Sequence, residues 1–125
     1  MASATNYLRE QMIAHILDNT SYTSPTDVYL ALFTSATDED GGGDEVTGGS
    51  YARQVITFSA TTVDGEREND SLSFTDMPAT TVEGLAIFDA DTGGNMLYYA
   101  NFAPVSVDAS DTYPVNAGVL TVRHL

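Results

Sequence analysis

From Pro25 to the C-terminus, short runs of β-branched and aromatic residues alternate with stretches rich in Gly, Asp and Pro. Apolar runs of four to eight residues suit strands and are too short for independent helices. Val28–Thr34 (VYLALFT) reads as a strand buried on both faces. Tyr51–Ala60 reads as another, with Ile56, Phe58 and Ala60 on one face and Val55, Thr57 and Ser59 on the other. Leu72 and Phe74 mark a short strand ending before Pro78. Val82–Ala90 and Met96–Phe102 flank Asp91-Thr92-Gly93-Gly94-Asn95, a turn signal, and together predict a β-hairpin. Pro104 is expected to interrupt that strand, leaving Val105–Asp108 and Gly118–Arg123 to complete the set around a polar turn near Ser110 and Asp111. Two stretches read as loops: the acidic, Gly-rich segment 35–50, expected to be exposed, and the polar segment Thr61–Asn69.

One segment has helical spacing. Leu8, Met12 and Ile16, with Tyr7, Ile13 and Leu17, recur at three and four residues and predict a helix over 6–18. Thr5 or Asn6 can cap its start and Asn19 can end it. The apolar stripe is wide, so the helix is expected to pack on a sheet or on a neighbouring subunit. About seven short strands after one helix suit a sandwich or a small barrel. The favoured architecture is mainly β: a β-sandwich, jelly-roll or immunoglobulin-like, over 27–125 with one N-terminal α-helix. A length of 125 residues suits a single domain spanning 1–125.

Charge removes several function classes. Asp and Glu number 18 against four arginines and no lysine, for a formal net charge of -14. Arg9, Arg53, Arg67 and Arg123 are too few to form the basic footprint that nucleic acid requires, and the overall field repels polyanions and anionic lipid. Self-repulsion of this size is relieved by salt, which shortens the screening length to roughly 3 Å at 1 M. The absence of Lys favours a protein from a high-salt environment, with carboxylates as its hydrated surface. No apolar stretch approaches the ~20 residues of a membrane helix, and Met1-Ala2-Ser3-Ala4 lacks the basic start of a signal peptide. The expectation is a soluble chain without membrane partners.

No catalytic, cofactor-binding or metal site is assigned. The chain has no Cys, and its two histidines are His15, in the helix, and His124, near the C-terminus. Neither accompanies a nucleophile-elbow pattern, and each reads as a surface or core-edge residue. Carboxylates are so abundant that a glycosidase-like pair would arise by chance. Asp89-x-Asp91-x-Gly93 matches the opening of a calcium loop but lacks the closing acid, so the residues read as turn formers. The acids at 38–40 and 44–45 read as a solvated loop, and no glycine pair is followed by the Lys-Ser/Thr of a phosphate loop. Arg53 lies on the same strand face as Tyr51 and can pair with an acid of its own sheet or of a neighbouring subunit.

Three segments carry a resemblance. They are Asn6-Tyr7-Leu8 with His15-Ile16-Leu17-x-Asn19-Thr20-x-Tyr22-Thr23-x-Pro25-Thr26-x-Val28-Tyr29-Leu30-Ala31-Leu32-Phe33-Thr34; Glu45-Val46-Thr47-Gly48-Gly49-x-Tyr51-Ala52-Arg53-Gln54; and Ile87-Phe88-Asp89-Ala90-x-Thr92-Gly93-Gly94-Asn95-x-Leu97-Tyr98-Tyr99. In this order they resemble a family of small tailed-phage proteins commonly labelled tail fibre proteins. A Trp-Gly step frequent in that family is replaced here by Thr80-Thr81-Val82-Glu83-Gly84. The resemblance implies a non-enzymatic virion protein whose partners are other virion proteins. With the charge balance, it suggests a virus of a salt-loving, archaeal host. The leading reading is a tail, fibre or baseplate-associated subunit acting as a homo-oligomer on a symmetric axis, with the helix as assembly surface. Alternatives are a capsid decoration or turret protein and a carbohydrate- or receptor-binding module, the latter needing an exposed aromatic platform such as Tyr98 and Tyr99.

Overall fold

The computed structural model describes residues 2–124. It is a β-sandwich with one N-terminal helix, as the sequence predicts. β1 (Ser3–Ala4) leads into α1 (Asn6–Leu17); β2 (Val28–Phe33), β3 (Gln54–Ile56), β4 (Phe58–Ala60), β5 (Glu66–Asn69) and β6 (Leu72–Phe74) follow. β7 (Thr80–Phe88), β8 (Met96–Val107), β9 (Tyr113–Val115) and β10 (Thr121–Arg123) complete the chain. A five-stranded sheet runs in the order β1-β8-β7-β2-β3, a three-stranded sheet β10-β5-β4, and a two-stranded sheet β6-β9, all with antiparallel pairs.

The buried strands β2 and β7 divide the core in two, because successive side chains point to opposite faces. Leu30, Leu32, Leu85 and Ile87 join Ile56, Phe74, Val115 and Leu120 in the main core. Ala31, Phe33, Ala86, Phe88 and Met96 form a smaller cluster on the opposite face. Phe33 and Phe88 stack there, with ring centroids 6.2 Å apart. The strand at 28–34 is thus buried on both faces over Leu30–Phe33, as expected.

The helix starts where Thr5 caps it: the Leu8 amide donates to Thr5 Oγ1. The same hydroxyl donates to Met96 O at 2.6 Å, and the Thr5 amide donates to Leu97 O, so one residue caps α1 and ties it to β8. Leu97 is the extra residue of a bulge, since the register passes from Ile87↔Tyr98 to Phe88↔Met96. Asn19, at φ 56°, follows the C-cap Asp18 and ends the helix in the left-handed conformation.

Four expectations are corrected. Segment 35–50 is not simply exposed: Thr37 and Val46 are buried, the Val46 amide donates to Leu32 O, and Glu45 bridges Phe33. The Asn6 amide donates to Glu39 O, and the Gly43 backbone lies close to Phe33, so this segment covers the smaller core cluster. Residues 61–69 are not all loop, because Glu66–Asn69 is the central strand of a sheet. Tyr51–Ala60 is two strands, β3 and β4, in different sheets. Pro104 does not end its strand. Val82 pairs with Val105 and Gly84 with Asn101, so Glu83 alone opposes three residues, and Pro104 sits in that bulge, where a missing amide costs nothing. Two strands without a sequence signal, β1 and β9, pair with β8 and β6.

Thr80–Gly84 opens β7. Val82 is fully buried, and a Cβ on Gly84 would meet Asn101 Oδ1 at 2.8 Å, so only glycine fits beneath that side chain. Asn101 uses this position to accept from Thr37 N and Oγ1 and to donate to Thr37 O.

Candidate functional site

The second and third motif segments meet at Arg53. Its guanidinium pairs with both oxygens of Glu45, Nε at 3.0 Å and Nη2 at 2.9 Å, in the planar fork geometry that Arg favours. Nη1 donates to Ala90 O and Gly93 O, and the guanidinium lies 3.7 Å from the centroid of the Phe88 ring. The Arg53 side chain is only 8% exposed. Tyr51, two residues earlier on the same face, donates to Glu45 Oε2, accepts from the Leu32 amide, and stacks on Phe74. Burial and the bond to Glu45 push the Tyr51 phenol well above its ordinary pKa, so it remains a neutral donor. The arrangement is a structural latch: it fixes the end of segment 35–50 and the β7–β8 turn to β2. Of the two pairings open to Arg53 from sequence, the acid within its own chain is the one observed.

The turn at 89–95 uses its acid for the same purpose. Asp89 accepts from Asn95 N and Nδ2, and Gly94, at φ 73°, leaves no room for a Cβ beside the Asp89 carboxylate. Asp91 is exposed. Among the described residues no group of three or more His, Asp or Glu side chains is placed to hold a metal ion. His15 contacts Thr20 O and the Tyr22 amide just beyond the helix, and His124 contacts the Tyr98 hydroxyl. Both histidines therefore tie local structure together.

Arg123 and Glu66 pair across β10 and β5. The hydrogen bond from Arg123, then one from Thr61, holds the Glu66 carboxyl below its ordinary value of 4.5. Thr57 and Ser59 donate to Asp70 and lower its pKa below 3.8. A carboxylate with a depressed folded-state pKa adds stability above its unfolded value and loses it as pH falls through the folded one. Thermal stability should therefore fall on acidification below about pH 4.5, and Glu66→Gln should flatten that decline. A melting series from pH 7 to 2.5 checks it; parallel curves for the two proteins would exclude Glu66 as a cause.

The helix presents the other notable surface. Only Leu8 of its apolar residues is buried, while Ile13, Ile16 and Leu17 are 55%, 72% and 74% exposed. Beside it a hollow is lined by Ala4, Leu8, Met12 and Ile13 with Arg9, Arg123 and His124, and without an acid. Beyond the Tyr98–His124 contact, an apolar slot of about 200 Å³ opens between the sheets, with Val28, Phe58, Tyr98 and Val122 in its walls and Arg67 beside them. Arg67 alone among the four arginines has no carboxylate within 4 Å among the described residues. Sequence reasoning expected an apolar helix face but missed this slot, whose lining comes from six separate strands.

The family model described as Podophage GP4 fiber I protein gp80 matches residues 3–123. The chain belongs to this family. No curated protein matches it at a significant level. The fiber I match spans all three motif segments, so the Glu45–Tyr51–Arg53 latch and the β7–β8 hairpin lie within the region shared with the family. Membership places the chain with virion structural proteins of the phage fibre type.

Proposed function

We propose that the protein is a non-enzymatic structural subunit of a viral tail, in the fibre or associated with the baseplate, repeated around a symmetric axis. The fibre-family match over residues 3–123 carries this reading. The framework supports it: a two-sided core, a buried latch and pinned loops make a rigid body suited to repeated contacts. Both histidines and the most deeply placed arginine are engaged in holding structure. Residues 1–125 act in this reading as one unit, because strands from all three sheets share one core cluster.

Immunogold labelling of intact virions tests the assignment. Label on the tail, at fibre or baseplate, is expected. Label confined to head vertices would replace it with a capsid decoration or turret role.

The acidic surface is further proposed to suit a virus of a salt-loving host. With 18 acids and four arginines, three of them already paired, the excess charge repels itself until screened. The melting temperature is expected to rise by several degrees from dilute to molar potassium chloride. An unchanged value would remove the halophilic reading and leave the fibre assignment in place.

A further inference from the structure

The face carrying α1 holds both halves of a contact that the single chain does not make. One half is a knob. At the helix end, Ile16 and Leu17 are almost three-quarters exposed, and Asp18 follows them with no cation within 4 Å among the described residues. The other half is the apolar slot between the sheets; beside it Arg67 donates to Glu66 O and has no carboxylate within 4 Å among the described residues. We propose that the slot takes the helix end of a second copy of this chain, with Leu17 entering the apolar opening and Asp18 meeting Arg67. The proposal deepens the reading of the protein as an assembling subunit and rests on it.

Three observations carry it. A twelve-residue helix that buries one apolar side chain lacks the packing that normally sustains a helix so short. Covering Ile13, Ile16 and Leu17 supplies that packing. Second, an arginine without a carboxylate partner among the described residues is unexpected in a chain with 18 acids, and the slot beside it is apolar. An occupant must therefore pair an apolar side chain with a carboxylate, as Leu17-Asp18 does. Third, copies at a net charge of -14 repel each other over most of their surface. The slot and the neighbouring hollow have arginine and histidine in their linings and no acid, so copies approach most easily there. An ion pair beside apolar surface then sets register as well as adding affinity. Knob and slot are different patches, so each copy gives one and receives one, which closes a ring or extends a filament.

Charge exchange tests this on the full chain, by light scattering behind a sizing column at moderate salt. The wild type is expected to be oligomeric. Asp18→Arg and Arg67→Asp should each weaken association by about tenfold or more, and the double exchange should restore it. Both substitutions are at exposed residues, and circular dichroism checks that each of the three variants folds. A second measurement uses the absence of cysteine: oxidising a mixture of Asp18→Cys and Arg67→Cys should link the two chains. A wild type that stays monomeric at its highest soluble concentration would overturn the proposal. An oligomer indifferent to both charge reversals, with no mixed disulfide, would also overturn it while leaving the fibre reading, tested by labelling virions, intact.

Discussion

Arg53→Met is expected to cost about 4 kcal/mol of stability, the largest effect of any single polar substitution considered. The change keeps most of the apolar stem and removes the guanidinium. Glu45, with its side chain 25% exposed, then loses both arms of its ion pair in a partly buried site, and removing one partner of a buried pair costs roughly 3–5 kcal/mol. Ala90 O and Gly93 O lose their shared donor, so the β7–β8 turn is released from β2, and the Phe88 face loses its cation. For a chain of this size the loss corresponds to a fall in melting temperature of roughly 10–20 °C. Glu45→Gln should cost less, because the amide oxygen still accepts from Arg53. The two together should cost less than their sum, since both act on one contact. Thermal melts of the three variants measure this; a loss below about 1 kcal/mol for Arg53→Met would show that the latch is a surface ion pair of ordinary weakness.

Asn69→Ala should cost about 3 kcal/mol, next in size. Asn69 is 1% exposed and holds three backbone groups from the interior: it accepts from the Leu120 amide at 2.8 Å and donates to Asn116 O and Asp70 O. Truncation leaves a buried donor and two acceptors without partners and opens space beside Leu120, and each buried orphan costs about 1–3 kcal/mol unless water reaches it. Asn69→Asp should also be costly, because it keeps the acceptor for Leu120 but replaces the donor with a charge. Urea unfolding curves distinguish the outcomes. An Asn69→Ala protein within about 0.5 kcal/mol of wild type would mean that the β5–β10 contact rests on strand pairing alone.

Asn69 also shows where the fold was hard to read. The strand Glu66-Arg67-Glu68-Asn69 has no apolar residue, so period-two hydrophobicity gives no signal. Its two buried residues are Glu66, bonded to Arg123, and Asn69, bonded to the Leu120 amide, and neither partner is near in sequence. Such a strand is specified by long-range polar pairing, which local pattern does not express. The β7–β8 hairpin was legible for the opposite reason: two apolar runs flank Asp-Thr-Gly-Gly-Asn turn chemistry, and all the information is local. Even there, Pro104 misled, because a proline forbids only the amide side of a ladder and the bulge opposite Glu83 removes that demand.

The helix lies between these cases. Its spacing and its Thr5 cap were visible, and the structure has both. Its apolar stripe was expected to meet a sheet or a neighbouring subunit, and within the chain only Leu8 is buried, with Tyr7 and Met12 half-covered. The Arg53 site was half visible: Tyr51 and Arg53 were placed on one face, while Glu45 lay in a segment read as solvated. Its role depends on the chain turning back along β2, seen in the Phe33–Glu45 bridge. Val46, the single large apolar residue in the acidic segment 35–50, was the available clue, and it is 2% exposed.

The most direct test of the account is to locate the chain in the intact virion by cryo-electron microscopy. The account predicts copies arranged around a symmetric axis of the tail, at fibre or baseplate, with the α1 face buried against a neighbouring copy. Copies spread over the capsid lattice, or tail copies whose Ile13, Ile16 and Leu17 face open solvent, would contradict it.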